Sequence, residues 1–298
     1  MAATLRKIHK ASSADAIDRL VCSLTARRCF TREDWHFGDP DSYNRYRDIA
    51  ESVLSRAKKY YCAYSMYQCF VGNPQQIDMG PASDHAMRRM AEKEGFRLGP
   101  LAYGLYKWMS EFSFTGAADT LNTIYVVGSA MTDADTFASS LLRMFCCVVT
   151  AHLNDFSVKD FAPIAPVTRL LFFPVVQHAL PFSNPIVNQI LKGKETFVAT
   201  GEEESARIKP IKCLVRLKRL PQVESLPTNK REHLILVFSE EGDGNTFFQP
   251  ELNLYFEAVK VRDRADVECR NHYGFLCNSD AHCETCSDPL NIVSVADM

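Results

Sequence analysis

The sequence predicts an α+β protein: a mostly helical N-terminal part, then a small antiparallel β-sheet and a zinc-stabilised C-terminal tail. Three observations lead there. Apolar residues recur at three- and four-residue steps through the first half of the chain. From Ile211 to Leu217 they alternate with basic residues instead. Cysteine and histidine then crowd the stretch from Cys269 to Cys286. The boundaries this implies are a helical domain over 1–156, a proline-rich linker or packing segment over 157–206, a β-meander over 207–264 and a Cys/His tail over 265–298.

The first predicted helix starts at a Ser13 cap and runs to about Arg28, with Ala16, Ile17, Leu20, Val21 and Leu24 on one side. The second is the longest. Tyr46, Ile49, Val53, Ala57, Tyr60, Tyr64 and Tyr67 form one stripe that ends at Gly72-Asn73-Pro74. A short charged helix over 84–94 follows, then one opened by Gly99-Pro100 that carries Leu101, Leu105, Trp108 and Met109. Residues 117–129 read as helix, with Ile124 to Val127 as a possible strand. Thr132 to Asp135 resembles a capping box leading into an apolar helix from Phe137 to Leu153. Five prolines between 163 and 185 then rule out a long helix. Beyond them, strands are expected at 211–217, 233–238 and 252–261, with a hairpin turn at Glu241-Gly-Asp-Gly-Asn245.

Composition narrows the function. A chain of 298 residues with 46% hydrophobic and 23% charged residues has enough apolar material for a core. The net charge of -2 gives no global attraction to nucleic acid, so such binding needs a local basic patch. No apolar run approaches the roughly 18 residues of a membrane span, so no membrane partner is expected. The basic N-terminus has no apolar segment behind it, which is unlike a signal peptide. An intracellular location, cytoplasmic or nuclear, with reduced thiols is the expectation.

Reduced thiols favour metal binding. Cys269 and His272, with Cys283 and Cys286, form two pairs of Zn²⁺ ligands, and Cys277 is a substitute ligand. Free thiols and disulfides are the alternatives. Four protein ligands make a structural zinc; a catalytic one keeps a position for water. A second candidate site is the basic strand, where Lys209, Lys212, Arg216 and Lys218 would neutralise phosphates if they lined a solvent face. The ordinary alternative is a solvated edge strand. A third is the tyrosine-rich helix, where Lys58 and Lys59 sit among aromatic residues, an arrangement suited to unpaired bases. The stripe suggests that Tyr60, Tyr64 and Tyr67 are core residues and that Tyr61 faces outward with the lysines. No catalytic residue stands out: Gly-x-Ser-x-Gly, Walker, dinucleotide and His-Glu-x-x-His patterns are all missing.

These features lead to a non-enzymatic binding or assembly protein with a structural zinc. Its partner would be another protein, a second copy, or nucleic acid, RNA foremost. The alternatives are a metal-dependent hydrolase with a dispersed site and a purely protein–protein scaffold.

Overall fold

Side-chain caps and well-placed prolines cut the N-terminal region into short helices. In the computed structural model the described residues are 2–72, 85–96, 98–110, 121–152, 156–176, 184–199, 205–219, 233–261 and 292–293. The chain divides into two compact units, Met1–Tyr64 with Pro166–Thr168, and Ser65–Ala165 with Arg169–Met298.

The first unit holds α1 (Ala2–Arg27), α2 (Arg32–Gly38), α3 (Pro40–Tyr46), a 3-10 turn at Arg47–Ile49, and α4 (Ala50–Ala63). Thr31 caps α2 by accepting the Asp34 N–H, and Asp39 caps α3 by accepting the Ser42 N–H, with Pro40 at the first helical position. Helices α1 and α4 pack together. Val21 and Leu24 are buried on one, and Val53, Leu54, Ala57 and Tyr61 on the other. The Thr25 hydroxyl sits 3.3 Å from the Ala57 carbonyl and 2.8 Å from that of Val21, so this buried polar group is satisfied.

The second unit begins with α5 (Met66–Val71), α6 (Ala86–Lys93), α7 (Leu98–Met109), β1 (Thr123–Val127), α8 (Ala134–Leu142) and β2 (Val148–Thr150). It continues through α9 (Val158–Phe161), β3 (Leu170–Val176), α10 (Pro185–Leu191), β4 (Thr196–Ala199), β5 (Ser205–Ile208) and β6 (Lys212–Leu217). It closes with β7 (His233–Val237), α11 (Gln249–Val261) and the two-residue β8 (Ile292–Val293). The main sheet runs in the order β2-β3-β6-β1-β7-β8, and every pair in it is parallel. Strands β4 and β5 form a separate antiparallel pair.

Both faces of the sheet are covered. Tyr125, Val127, Cys213, Val215 and Ile235 pack with Val158 and Phe161 of α9, and with Val187, Ile190 and Leu191 of α10. The opposite side chains of β1 and β6 face α8, which contacts both strands. Two covered faces explain why β1 is buried at all five positions and reads as an unbroken apolar run. Asn122, just before β1, ties the unit together: its amide nitrogen donates to the carbonyls of Ile190, Leu191 and Ile211 at 3.0–3.1 Å.

The structure bears out α+β in its coarse sense, helices with a sheet, and corrects the architecture. The main sheet is parallel where a meander was expected. The expected strand at 252–261 is helix α11. Leu252 and Phe256 are buried four residues apart, a spacing that fits both periods, and the 49% exposure of Leu254 between them decides for helix. The expected helix from Phe137 to Leu153 stops at Leu142 and gives way to β2, while 123–127 is strand β1. The proline-rich segment carries β3 itself; Pro174, which has no N–H to donate, falls where the register against β6 shifts. The long tyrosine-striped helix is broken at Tyr64 and Ser65, both extended, and Ser65 forms a capping box with Gln68 that starts α5 afresh. The region over 1–156 is therefore not helical throughout.

Candidate functional site

Open α/β sheets take ligands in the crevice beyond the carboxyl ends of the strands, where neighbouring connections run opposite ways. Here that place lies between β1 and β7. The chain leaves β1 for the far edge at β2, whereas β7 has β8 on its other side. The two loops concerned, Gly128–Asp133 after β1 and Phe238–Asn245 after β7, are joined to each other. The Gly242 N–H donates to the Met131 carbonyl at 2.8 Å, and Thr132 and Glu241 form an isolated bridge. Glycine is required here by close approach: a Cβ on Gly128 would lie 2.5 Å from Thr132 Oγ1, and one on Gly242 would lie 2.8 Å from the Thr132 carbonyl carbon.

Charged side chains pair with one another at these loops. Asp133, the N-cap of α8, is buried; its Oδ1 accepts the Gly244 N–H at 3.0 Å and its Oδ2 meets Lys93 Nζ at 2.5 Å. Lys93 also reaches the Glu241 carbonyl at 2.7 Å and Asp243 Oδ1 at 3.2 Å. Burial works against the Lys93 ammonium, but the bonds to Asp133 and Asp243 outweigh it and raise its pKa. The neighbouring Glu94 is buried and accepts the Ser239 and Glu240 N–H groups at 2.7 and 3.3 Å. Burial raises its pKa, with those two donors opposing.

Arg216 of β6 closes the other side. Its guanidinium donates to Asp135 Oδ1 at 2.7 Å, to the Gly128 carbonyl at 2.8 Å, to the Ser129 carbonyl at 3.2 Å and to the Leu217 carbonyl. An anion approaching this loop would meet Asp135, half-exposed at the start of α8. The positive charges of Lys93 and Arg216 are already engaged.

A second polar group lies deeper in the sheet, where the Tyr125 and His233 rings are 5.6 Å apart and Thr123 pairs in register with Cys213 and His233. Burial pushes the Cys213 thiol up to about 12 and, with Lys192 contributing, pushes His233 down to about 3. Both groups are therefore neutral near pH 7, and the thiol is unreactive.

The sequence-predicted site residues are dispersed. Lys212 and Arg216 are buried in a central strand, with Lys212 Nζ on the Leu121 carbonyl at 2.6 Å, so no solvated basic face exists on β6. Lys209 and Lys218, just outside that strand, are exposed. On α4, Lys59 is exposed and Lys58 half-buried. Tyr61 is core and Tyr60 is surface, the reverse of the expectation. Cys269, His272, Cys277, Cys283 and Cys286 lie outside the described residues. Among the described residues, no three His, Cys, Asp or Glu side chains are grouped to hold a metal ion. Cys146 and Cys147, expected inside an apolar helix, lie in the loop after α8 and are half-exposed. Asp133, expected as a cap, and Asp243, expected in a turn, share a contact with Lys93 that local pattern does not show. The one sequence signal for this loop is Gly128, directly after the apolar run of β1.

By fold and site the chain is a protein of helices and a parallel sheet whose strand-end loops are tied together by paired charges. No protein-family model matches it. It is 38% identical over 213 residues to the uncharacterized protein ORF12 of fowl adenovirus A serotype 1 (strain CELO / Phelps), an alignment covering 68% of this chain and 100% of that one. The chain belongs to the same family as that adenoviral protein.

Proposed function

We propose that the chain is a non-enzymatic binding and assembly protein that associates with nucleic acid. The observation that supports this reading is the pairing of charges at the strand ends. Lys93, Asp133, Asp243, Arg216 and Asp135 satisfy one another where a parallel sheet would otherwise take a small ligand, so the sheet acts as a scaffold. Binding then falls to the surface. Lys58, Lys59, Lys209 and Lys218 are its candidate phosphate contacts; Lys212 and Arg216 hold the strand in place. A structural Zn²⁺ at Cys269, His272, Cys283 and Cys286, with Cys277 in reserve, belongs to the proposal on ligand spacing alone. No described helix is long and apolar enough to cross a membrane.

The test is fluorescence anisotropy of nuclease-treated, full-length protein with labelled single-stranded and duplex oligonucleotides at 50 and 200 mM salt. Binding that weakens steeply with salt is expected. Absence of binding to every probe at micromolar protein removes nucleic acid from the reading. Metal analysis of the same reduced sample should find one zinc per chain, and a metal-free sample removes the zinc.

A further inference from the structure

The first unit carries an aromatic pair that its core does not use. In α4 the inward residues are Val53, Leu54, Ala57 and Tyr61. Tyr60 lies outside that stripe and is 46% exposed; Tyr64, one turn on, is 40% exposed. Their rings stand edge to face, 5.5 Å between centroids at 86°, so each limits the freedom of the other. Fully burying both would have been the ordinary use of two tyrosines at this spacing.

The surroundings are basic. From Ser52 to Tyr64 the chain has Arg56, Lys58 and Lys59 and no acidic residue. Arg56 precedes Tyr60 by one turn and is paired with Asp18 on α1, while Lys59, next to Tyr60 in sequence, is exposed. Over residues 1–64 there are 12 Lys and Arg against 8 Asp and Glu, a net charge of +4 within a chain of -2 overall. The charge balance of the whole chain therefore conceals a positive N-terminal unit.

Part-exposed aromatic rings close in sequence to an exposed cation, in a unit of net positive charge, suit one kind of polyanion. Bases that are already stacked in a duplex cannot reach a tyrosine ring, whereas unpaired bases can, and sequence-tolerant stacking with phosphate contact is how single strands are held. We infer that Tyr60 and Tyr64, with Lys59 as the exposed cation next to Tyr60 in sequence, form a stacking site for single-stranded nucleic acid on the exposed side of α4. This rests on the nucleic-acid reading above and specifies its surface and its ligand.

The test uses full-length protein, labelled oligo-dT and oligo-U, and a duplex control. Tyr60→Ala and Tyr64→Ala should each weaken single-strand binding about tenfold, at every salt concentration, with the salt slope and duplex binding unchanged. Tyr60→Phe should stay within about twofold of the parent, because the ring is retained. Lys59→Ala should instead flatten the slope by about 0.7. Thermal unfolding of each variant confirms that it is folded. Single-strand binding that survives both tyrosine-to-alanine variants overturns the stacking site while leaving the nucleic-acid reading standing. Loss of duplex and single-strand binding together overturns the stacking role, and no binding by the parent protein overturns both readings.

Discussion

Replacing Arg216 by Met should cost little, and removing its partner should cost more. The Arg216 side chain is 2% exposed and that of Asp135 is 52% exposed. In Arg216→Met the abandoned groups mostly have other partners. The Leu217 carbonyl still accepts the Gly128 N–H at 3.0 Å, and the Ser129 carbonyl still accepts from Thr132 Oγ1 at 2.9 Å. Asp135 is half in water and can be hydrated. The Gly128 carbonyl alone loses a charge-assisted bond, worth about 1–3 kcal/mol, and a well-packed Met in place of a buried cation offsets part of that. A net loss of about 1–2 kcal/mol is expected. In Asp135→Ala a buried guanidinium keeps its charge but loses its only carboxylate among these contacts. That costs about 3 kcal/mol, the low end for breaking a buried pair, because the partner was half-exposed. Urea unfolding of the two variants and of the double variant measures both terms, and the double variant should resemble Arg216→Met. An Arg216→Met loss exceeding that of Asp135→Ala would refute the reasoning, since the carbonyls would then depend on the arginine alone.

Two other perturbations fall on the same sheet, one at each end of β1. Gly128→Ala would place a Cβ 2.5 Å from Thr132 Oγ1 and 3.0 Å from both Ala134 Cβ and the Phe238 carbonyl; a loss of about 2–3 kcal/mol in urea unfolding is expected. A change below about 0.5 kcal/mol would show that the loop gives way freely. His233 should make the fold acid-sensitive. Its pKa is lowered from 6.5 to about 3 by burial and by Lys192, so its contribution is fully present above pH 6.5 and is lost as pH falls toward 3. By pH 4.5 the loss is about 2–3 kcal/mol. Glu94 and Glu251, whose pKa values burial raises, run the other way: their contribution is full below 4.5 and fades as pH rises through their folded values. The measurement is therefore the difference between the protein and His233→Phe across pH 4.5–7.5. Parallel curves would remove His233 as the cause.

The sequence by itself determined where much of the secondary structure lies. The Leu101 to Met109 helix, the strands at 211–217 and 233–238, and α1 near Val21 and Leu24 are all present, because local periodicity and capping are properties of neighbouring residues. The tertiary structure decided strand direction and the fate of each charge. An alternating strand such as 212–217 reads as having a solvent face, yet both faces of β6 are covered, and Lys212 and Arg216 are buried against backbone carbonyls. Parallel pairing joins residues far apart in the chain, Thr123 with Cys213 and with His233, and no local pattern encodes that choice. The same distance hides the Lys93–Asp133–Asp243 cluster, whose members are ordinary surface residues until the β1 and β7 loops meet. On α4 the stripe placed the tyrosines on one helix but on the wrong side. A helix fixes only the angles between its side chains, and packing against α1 chose Tyr61 for the core and left Tyr60 and Tyr64 outside.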